Sequence, residues 1–164
     1  MGKMSDIACA AVAVLLVTVG FVHATPRPDG TMALARHNHG GANKTRLLAE
    51  RGDARAQTLL GLLHEHGRGV PQDYVAAAHW YSFAAAQGDP TAQYLLGLMY
   101  DKGHGVPRSH VLAYKWLNLA AARARPGVRE NYLRIRDALA AKLTPAQVDH
   151  AQWLAYHFIP MRQR

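Results

Sequence analysis

The sequence contains almost no cysteine, and its candidate nucleophiles are isolated. Cys9 is the only cysteine among 164 residues, and it lies in an apolar run near the N-terminus. The rest of the chain can therefore form no disulfide and no thiolate metal site. Beyond that run the only serines are Ser82 and Ser109, and neither has an aspartate and a histidine at a spacing that suggests a catalytic triad. Carboxylates are scattered singly, so the sequence favours a function other than catalysis.

The N-terminal apolar run predicts export. Lys3 and the terminal amine precede the apolar residues 7–22, and a Val-His-Ala pattern of the kind found at cleavage sites ends at Ala24. The run is shorter than the roughly 20 apolar residues that comfortably span a bilayer. We therefore expect a signal peptide over residues 1–24, cleaved after Ala24, and a periplasmic or secreted protein. The alternative is an inner-membrane anchor formed by residues 7–22.

Residues 25–43 predict a flexible tether. They include two prolines and three glycines and show neither helical nor alternating apolar spacing. Helical spacing begins with the residues that follow. We therefore place the start of the folded part of the chain at residue 44.

An internal repeat with an offset of 36 residues dominates the rest of the sequence. The segment GDARAQTLLGL at 52–62 aligns with GDPTAQYLLGL at 88–98. Further pairs recur at the same offset: GRGVP at 67–71 with GHGVP at 103–107, Trp80 with Trp116, and Ala84-Ala85 with Ala120-Ala121. A period in this range, with apolar residues three and four apart and no strand-like alternation, is typical of stacked helical hairpins. The predicted fold class is all-α, an α-α superhelix or solenoid.

Each repeat is expected to contain two helices. Helix A of the first repeat is predicted over Ala54–His66 and helix B over Gln72–Ala86, with the second pair 36 residues later. Gly61 and Gly97 lie inside the two A helices, where glycine costs about 1 kcal/mol relative to alanine. A close approach of helix B would give both glycines a packing role.

The residues between the helices fit a turn. Gly67 and Gly103 stand where a left-handed residue ends helix A, and Pro71 and Pro107 suit the opening turn of helix B. The two tryptophans that the repeat aligns are expected to lock helix B against helix A.

These motifs resemble the Sel-one-like repeat (SLR) family, relatives of the tetratricopeptide repeats. The family pattern runs A-x-x-x-L-G-x-x-Y, then G-x-G-V, then A-x-x-W and A-A-x-x-G, and it fits residues 52–87 and 88–124. The segment LAERG at 48–52 resembles the end of a preceding helix B, so the repeat region is placed at 44–124. The sequence departs from the pattern at His64, where the family has the tyrosine seen at Tyr100, and at Ala124, where the family has glycine.

The resemblance implies a right-handed superhelix used for protein interaction, with no single shared reaction. Hydrolysis of cell wall or of β-lactams has been associated with a few members, but this sequence singles out no acid and base for it. An exported scaffold that binds a protein partner is therefore the leading interpretation, and a weak hydrolase is the least favoured.

Residues 125–164 predict two further helices that cap the repeat stack. An apolar stripe runs along the first of them: Val128, Tyr132, Ile135, Leu139 and Leu143. Residues 144–147, TPAQ, predict the start of the second, with threonine as the cap, proline in the first turn and glutamine placed to complete a capping box. A cap is expected because a solenoid end exposes an apolar face.

Positive charge is concentrated towards the C-terminus. The net charge is +8, and residues 108–164 hold ten Lys or Arg against three acidic residues. Arg125, Arg129 and Arg136 could bind an anionic envelope polymer or lipid, although a solvated face is the plainer interpretation. Nucleic acid is not expected for an exported chain whose basic run lacks interleaved aromatic residues.

The predicted partner site lies on one stripe of the A helices. The stripe consists of Arg55, Thr58, Leu62 and Glu65 in the first repeat and of Thr91, Tyr94, Leu98 and Asp101 in the second. Its apolar members are predicted to face solvent side by side and bind a protein segment. The alternative is that the tether or the C-terminal cap buries them.

We expect no cofactor and no metal site. The His-x-His pairs at 37–39 and 64–66 each lack a second cluster at ligand spacing. The sequence thus predicts binding of a protein partner without any bound small molecule.

Overall fold

The computed structural model describes residues 41–161, and every regular element in that range is an α-helix. The helices are α1 (41–50), α2 (Ala54–His66), α3 (Tyr74–Ala86), α4 (Pro90–Lys102), α5 (His110–Arg123), α6 (Pro126–Ala140) and α7 (Pro145–Tyr156). The predicted all-α fold is confirmed, as are the predicted bounds of α2. The expected signal peptide and residues 25–40 of the expected tether lie outside the described residues.

Residues 41–43 belong to helix α1, so their assignment to the tether is wrong. The physical reason is burial of Ala42, which is 5% exposed, together with the Thr45 hydroxyl, which donates to the Gly41 carbonyl at 2.9 Å. Glycines at 40 and 41 mask the helical spacing of this short segment in the sequence.

Neighbouring helices pack in chain order. Helix α2 packs on α3, α3 on α4 and α4 on α5, and both α6 and α7 pack on α5. The C-terminal helices therefore cover the outer side of the second repeat. The capping box predicted at the start of α7 is present, with Gln147 N donating to the Thr144 hydroxyl and Thr144 N donating to the Gln147 side chain.

The two A helices begin and end in the same way. Asp53 and Asp89 cap α2 and α4 by accepting a hydrogen bond from the backbone N of Ala56 and Ala92, each at 2.7 Å. Gly67 (φ 65°) and Gly103 (φ 74°) end these helices in the left-handed conformation, as predicted.

The B helices start later than predicted. Helix α3 begins at Tyr74, not at Gln72, because the Asp73 carboxylate caps it by accepting from Val75 N and Ala76 N. Ser109 caps α5 at the matching position. The two equivalent prolines, Pro71 and Pro107, consequently lie in the connecting loops, so the prediction that they open the B helices is wrong.

The predicted close approach at the helix A glycines is confirmed. A Cβ placed on Gly61 would lie 2.5 Å from Cε1 of Tyr81, and one placed on Gly97 would lie 3.0 Å from Cγ of Leu117. Tyr81 and Leu117 are fully buried. The residue that packs closely between helix B and helix A is therefore the one that follows each tryptophan. The prediction that the tryptophans fill this role is wrong, because they pack at the edge of the core.

A buried glutamine joins each repeat to the helix before it. Gln57 Nε2 donates to the Ala49 carbonyl at 3.0 Å, and Gln93 Nε2 donates to the Ala85 carbonyl at 3.1 Å. Because Ala49 and Ala85 also differ by one period, α1 stands where a helix B would stand. The segment at 48–52 therefore ends a half-repeat.

Candidate functional site

A cleft of about 570 Å³ opens between α2, the start of α4 and the start of α6. Its main lining residues are Arg55, Thr58, Leu59 and Leu62 from α2, Asp89 and Thr91 from the start of α4, and Arg125, Val128 and Tyr132 from the start of α6. The cleft therefore joins the first repeat to the C-terminal helices.

Polar groups along the cleft are already linked to one another. The Thr58 hydroxyl lies 2.9 Å from the Ala54 carbonyl and 3.3 Å from Oδ1 of Asp89, which also caps α4. Thr58 is 6% exposed. This side of the cleft is consequently held by internal hydrogen bonds and is preorganised before any partner arrives.

The rim of the cleft combines apolar groups with positive charge. Leu59 is 47% exposed and Val128 is 46% exposed, and both line the cleft. Arg55 and Arg125 are exposed and belong to different elements, since Arg125 is the N-cap residue of α6. The arrangement suits a ligand that presents an aliphatic side chain together with a carboxylate.

Four of the eight residues predicted for the partner groove come together in this cleft: Arg55, Thr58, Leu62 and Thr91. The other four do not line it. The prediction that Tyr94 faces an open groove is wrong, because its ring stacks on that of Tyr132 with centroids 4.3 Å apart and planes 13° apart. Helix α6 thus covers the stripe of the second repeat. Leu98 is half-buried in the same stripe.

The two predicted groove carboxylates are engaged inside the protein. Glu65 Oε2 accepts from the Tyr81 hydroxyl at 2.6 Å, and burial, followed by this hydrogen bond, raises the pKa of Tyr81 far above its usual range. Asp101 accepts from Lys142 Nζ at 2.9 Å and lies 3.5 Å from His110 Nε2. Both carboxylates therefore make contacts inside the protein, and neither lines the cleft.

The three arginines proposed for polyanion binding do not form one free basic face. Arg125 lines the cleft and Arg129 is exposed on α6. Arg136 instead donates to Asp137 Oδ1 at 2.7 Å and to Asn118 Oδ1 at 3.1 Å. Its charge is consequently balanced locally, and its side chain is fixed against α5.

Both serines considered as nucleophiles have structural hydrogen bonds. The Ser82 hydroxyl donates to the His79 carbonyl at 2.7 Å, and the Ser109 hydroxyl accepts from Leu112 N at 3.3 Å. Across residues 41–161, no three His, Cys, Asp or Glu side chains are grouped so that they could hold a metal ion. In the same range, no helix combines the length and apolarity needed to cross a membrane.

Sequence reasoning missed several cleft residues. In the sequence Asp89 stands out only as part of a repeated Gly-Asp pair, and the spacing of Leu59, Val128 and Tyr132 predicts no part in the partner site. The spacing of Leu59 could have indicated an exposed binding residue, since this leucine lies outside the stripe of α2 that is buried. The closeness of Val128 to α2 carries none, because it depends on how α6 folds back.

The stacked hairpins and the cleft between them define a helical-repeat protein of the solenoid class. Residues 54–89 and 90–124 each match the Sel1 repeat family. The chain belongs to this family, as its motifs indicated. Sel1 repeat proteins are helical-repeat scaffolds that typically mediate protein–protein interaction, and the family is generally non-catalytic.

Two crystal structures are similar to this chain. A Sel1 repeat protein from Oxalobacter formigenes is 36% identical, with a TM-score of 0.54, and the match covers 62% of this chain and 84% of that one. A protective antigen present in uropathogenic Escherichia coli strains, which displays an SLR fold, is 32% identical with a TM-score of 0.68. That match covers 73% of this chain but 25% of the antigen, so this chain spans a quarter of its length. No curated protein matches the sequence.

Proposed function

We propose that this protein is an exported scaffold that binds an extended segment of a partner protein in the cleft between α2, α4 and α6. The observation that carries the proposal is the pairing of exposed Leu59 and Val128 with Arg55 and Arg125 around one preorganised cleft. Membership of a family of interaction scaffolds supports it.

The cleft chemistry specifies the kind of partner. Leu59 and Val128 offer apolar area that a single aliphatic or aromatic side chain can cover. Arg55 and Arg125 can each bind a carboxylate through paired N–H groups. The partner segment is therefore apolar at its centre and acidic beside it, and the positive cleft also speeds its approach at low salt.

The binding proposal is tested with a partner recovered from envelope extract on the mature domain. Arg55→Ala, Arg125→Ala and Val128→Ser should each weaken binding of that partner by about tenfold, as expected for side chains that contact the partner directly. Arg129→Ala removes an exposed arginine from the same helix without touching the cleft and should bind as the parent does. Equal affinity in all four variants would place the partner elsewhere.

Export is part of the same proposal and has a separate test. The apolar residues 7–22 and the Val-His-Ala pattern ending at Ala24 support it. N-terminal sequencing of the protein from an envelope fraction should find a mature chain that starts after Ala24. A chain that starts at Met1 would contradict signal cleavage.

A second candidate function is docking to an anionic envelope polymer or lipid. It is favoured by Arg125 and Arg129, which are both exposed one turn apart at the start of α6. Glutamine at both positions should weaken binding to anionic vesicles and flatten its salt dependence. Equal binding by the parent protein at low and high salt would exclude this function.

A further inference from the structure

The end of the described chain folds back onto the junction between the first and second repeats. Met161 N donates to the Ala86 carbonyl at 2.9 Å. A Cβ placed on Gly88 would lie 3.7 Å from Cβ of Pro160, and the Phe158 ring meets the Trp116 ring edge-on at 5.4 Å. Residues 158–161 thus form an irregular segment that lies across helix α5 and the turn before α4.

Positive side chains hold the aromatic residue of this segment. Lys115 Nζ lies 5.6 Å from the centre of the Phe158 ring, and the Arg123 guanidinium lies 5.7 Å from it. Burial lowers the pKa of Lys115. The junction between the two repeats therefore binds an aromatic residue, then a proline two residues later, then a backbone N–H.

The first repeat carries a related site that no described residue fills, in which His79 and Gln87 stand at the positions of Lys115 and Arg123. The tail contacts Ala86, Gly88 and Trp116. The residues 36 positions earlier in the sequence are Glu50, Gly52 and Trp80. A pocket of about 240 Å³, here called the α1–α3 pocket, lies at this place and is lined by Ala49, Glu50, Gly52, Gln57, Trp80 and Phe83. The two repeats thus place a pocket and a bound segment at equivalent positions.

The backbone of the α1–α3 pocket matches that of the occupied site. Gly52 has φ 92° and Gly88 has φ 93°, so the carbonyls of Glu50 and Ala86 are presented by the same turn. Within residues 41–161, no hydrogen bond reaches the Glu50 carbonyl, whereas the Ala86 carbonyl receives one from Met161. The carbonyl equivalent to the one that anchors the tail therefore accepts no hydrogen bond from any described residue.

The aromatic surface of the α1–α3 pocket is larger than that of the occupied site. Phe83 replaces Leu119, and its ring lies 4.5 Å from that of His79 and 6.1 Å from that of Trp80. Phe83 is 38% exposed. Glu50 replaces Ala86 and adds an exposed carboxylate beside the anchoring carbonyl.

We propose that the α1–α3 pocket binds a partner peptide of the form aromatic-x-Pro followed by a basic residue. The bound tail supplies the template for the aromatic residue, the proline and the backbone N–H, and Glu50 supplies the preference for positive charge. Residues 25–40 of this chain contain no aromatic residue, so they lack the central feature of this ligand. The site is distinct from the cleft of the proposed function.

The probe is a synthetic peptide with the sequence of residues 156–164, YHFIPMRQR, titrated into the full mature chain by fluorescence anisotropy. Phe83→Ser and Glu50→Lys should each weaken its binding by about tenfold or more. Glu130→Lys makes the same charge change at an exposed site on α6 and is the matched control. A peptide with alanine in place of the phenylalanine should bind weakly to every variant.

The position of the bound peptide is read by cross-linking. A benzophenone in place of the peptide phenylalanine should label residues of α3. Labelling confined to α5 would show displacement of the protein's own tail and would overturn the proposal, as would a complete lack of binding. Arg55→Ala and Arg125→Ala should leave peptide binding unchanged, so failure here and failure of the cleft proposal are distinguishable.

Self-association is the remaining outcome. If sedimentation shows a concentration-dependent dimer that both Glu50→Lys and Phe158→Ala abolish, the occupant of the α1–α3 pocket is the tail of a second copy. That result would overturn the assignment to a partner protein. A monomer at all concentrations, together with peptide binding on α3, is the expected result.

Discussion

The first and second repeats have the same caps, the same left-handed glycines and the same buried glutamine, but different surroundings. Helices α6 and α7 and the C-terminal segment lie against the second repeat. In the described part of the chain, the first repeat is flanked by α1 and lines two open pockets, one on each side. A shared backbone therefore does not imply a shared role: α6 and the C-terminal segment cover parts of the second repeat, whereas the first repeat contributes residues to both proposed binding sites.

The surroundings also change the internal hydrogen bonds. In the first repeat, Gln87 Nε2 donates to Gln57 Oε1 at 2.7 Å. The residue at the matching position of the second repeat is Arg123, which lies over Phe158 instead. The Gln93 Oε1 atom is consequently buried without a hydrogen-bond partner in the described residues. In the second repeat, the contact of Arg123 with the tail residue Phe158 therefore takes the place of the hydrogen bond that Gln87 makes with Gln57 in the first repeat.

The largest expected effect concerns the loop between α4 and α5, which contacts the start of α3 in the first repeat. A Cβ on Gly105 would collide with the carbonyl of Tyr74 at the start of α3, and Gly105 has φ 68°. Gly105→Ala should therefore lower the free energy of unfolding by about 3 kcal/mol. Urea denaturation measures it. Gly127→Ala, which meets nothing within 4 Å, is the control, and equal stability of the two variants would contradict the loop contact.

The next prediction compares the two helix A glycines directly. Gly61→Ala should cost about 1 to 3 kcal/mol, because the Tyr81 ring is buried and must move. Gly97→Ala should cost less than about 1 kcal/mol, since Leu117 Cγ at 3.0 Å and the Ala113 carbonyl at 3.3 Å need only a small displacement and alanine favours the helix. Thermal melting of both variants is the measurement. A larger loss of stability in Gly97→Ala than in Gly61→Ala would contradict the conclusion that helix B approaches Gly61 more closely.

The carboxylates at 65 and 101 occupy equivalent positions and give the third comparison. Tyr81→Phe removes the partly buried hydrogen bond to Glu65 and should cost about 1 kcal/mol. Lys142→Ala removes a more exposed ion pair with Asp101 and should cost between about 0 and 1 kcal/mol. Chemical denaturation of both variants tests whether the contact of Glu65 contributes more to the free energy of unfolding than the contact of Asp101 does. A greater loss in Lys142→Ala would refute this.

The smallest effect is a dependence on alkaline pH. The pKa of Tyr81 is raised in the folded state by burial and by Glu65, whereas an unfolded tyrosine loses its proton near pH 10. The stabilisation from this group is therefore complete below about pH 10 and declines as the pH rises above that value. Stability measured from pH 8 to 11 should fall less steeply in Tyr81→Phe than in the parent. Parallel curves would show that Tyr81 contributes nothing to the decline.

The parts of the fold that depend on local spacing could be predicted from the sequence. The bounds of α2 follow from a capping aspartate and a left-handed glycine, and the start of α7 follows from the capping box at Thr144. The predicted start of α3, Gln72, is two residues too early, because Pro71 and Asp73 are both plausible start signals for a helix. Only the hydrogen bonds of Asp73 decide between them.

The candidate site was only half predictable, because it depends on contacts between distant parts of the chain. The stripe through Arg55 and Leu62 follows from helical spacing alone. The stacking of Tyr94 on Tyr132 and the placement of Val128 opposite α2 depend on the direction in which α6 turns back. No repeat spacing encodes that direction, since α6 belongs to no repeat.

The buried glutamines have a consequence for how such chains can change in length. Each glutamine donates across a boundary to a carbonyl one helix earlier, so a 36-residue unit contains both the donor for the preceding unit and the acceptor for the next. Tandem duplication of residues 54–89 would therefore add a module whose two ends already fit its neighbours. Growth by whole modules therefore keeps every such hydrogen bond, whereas an insertion that separates a glutamine from its acceptor would leave a buried amide without a partner.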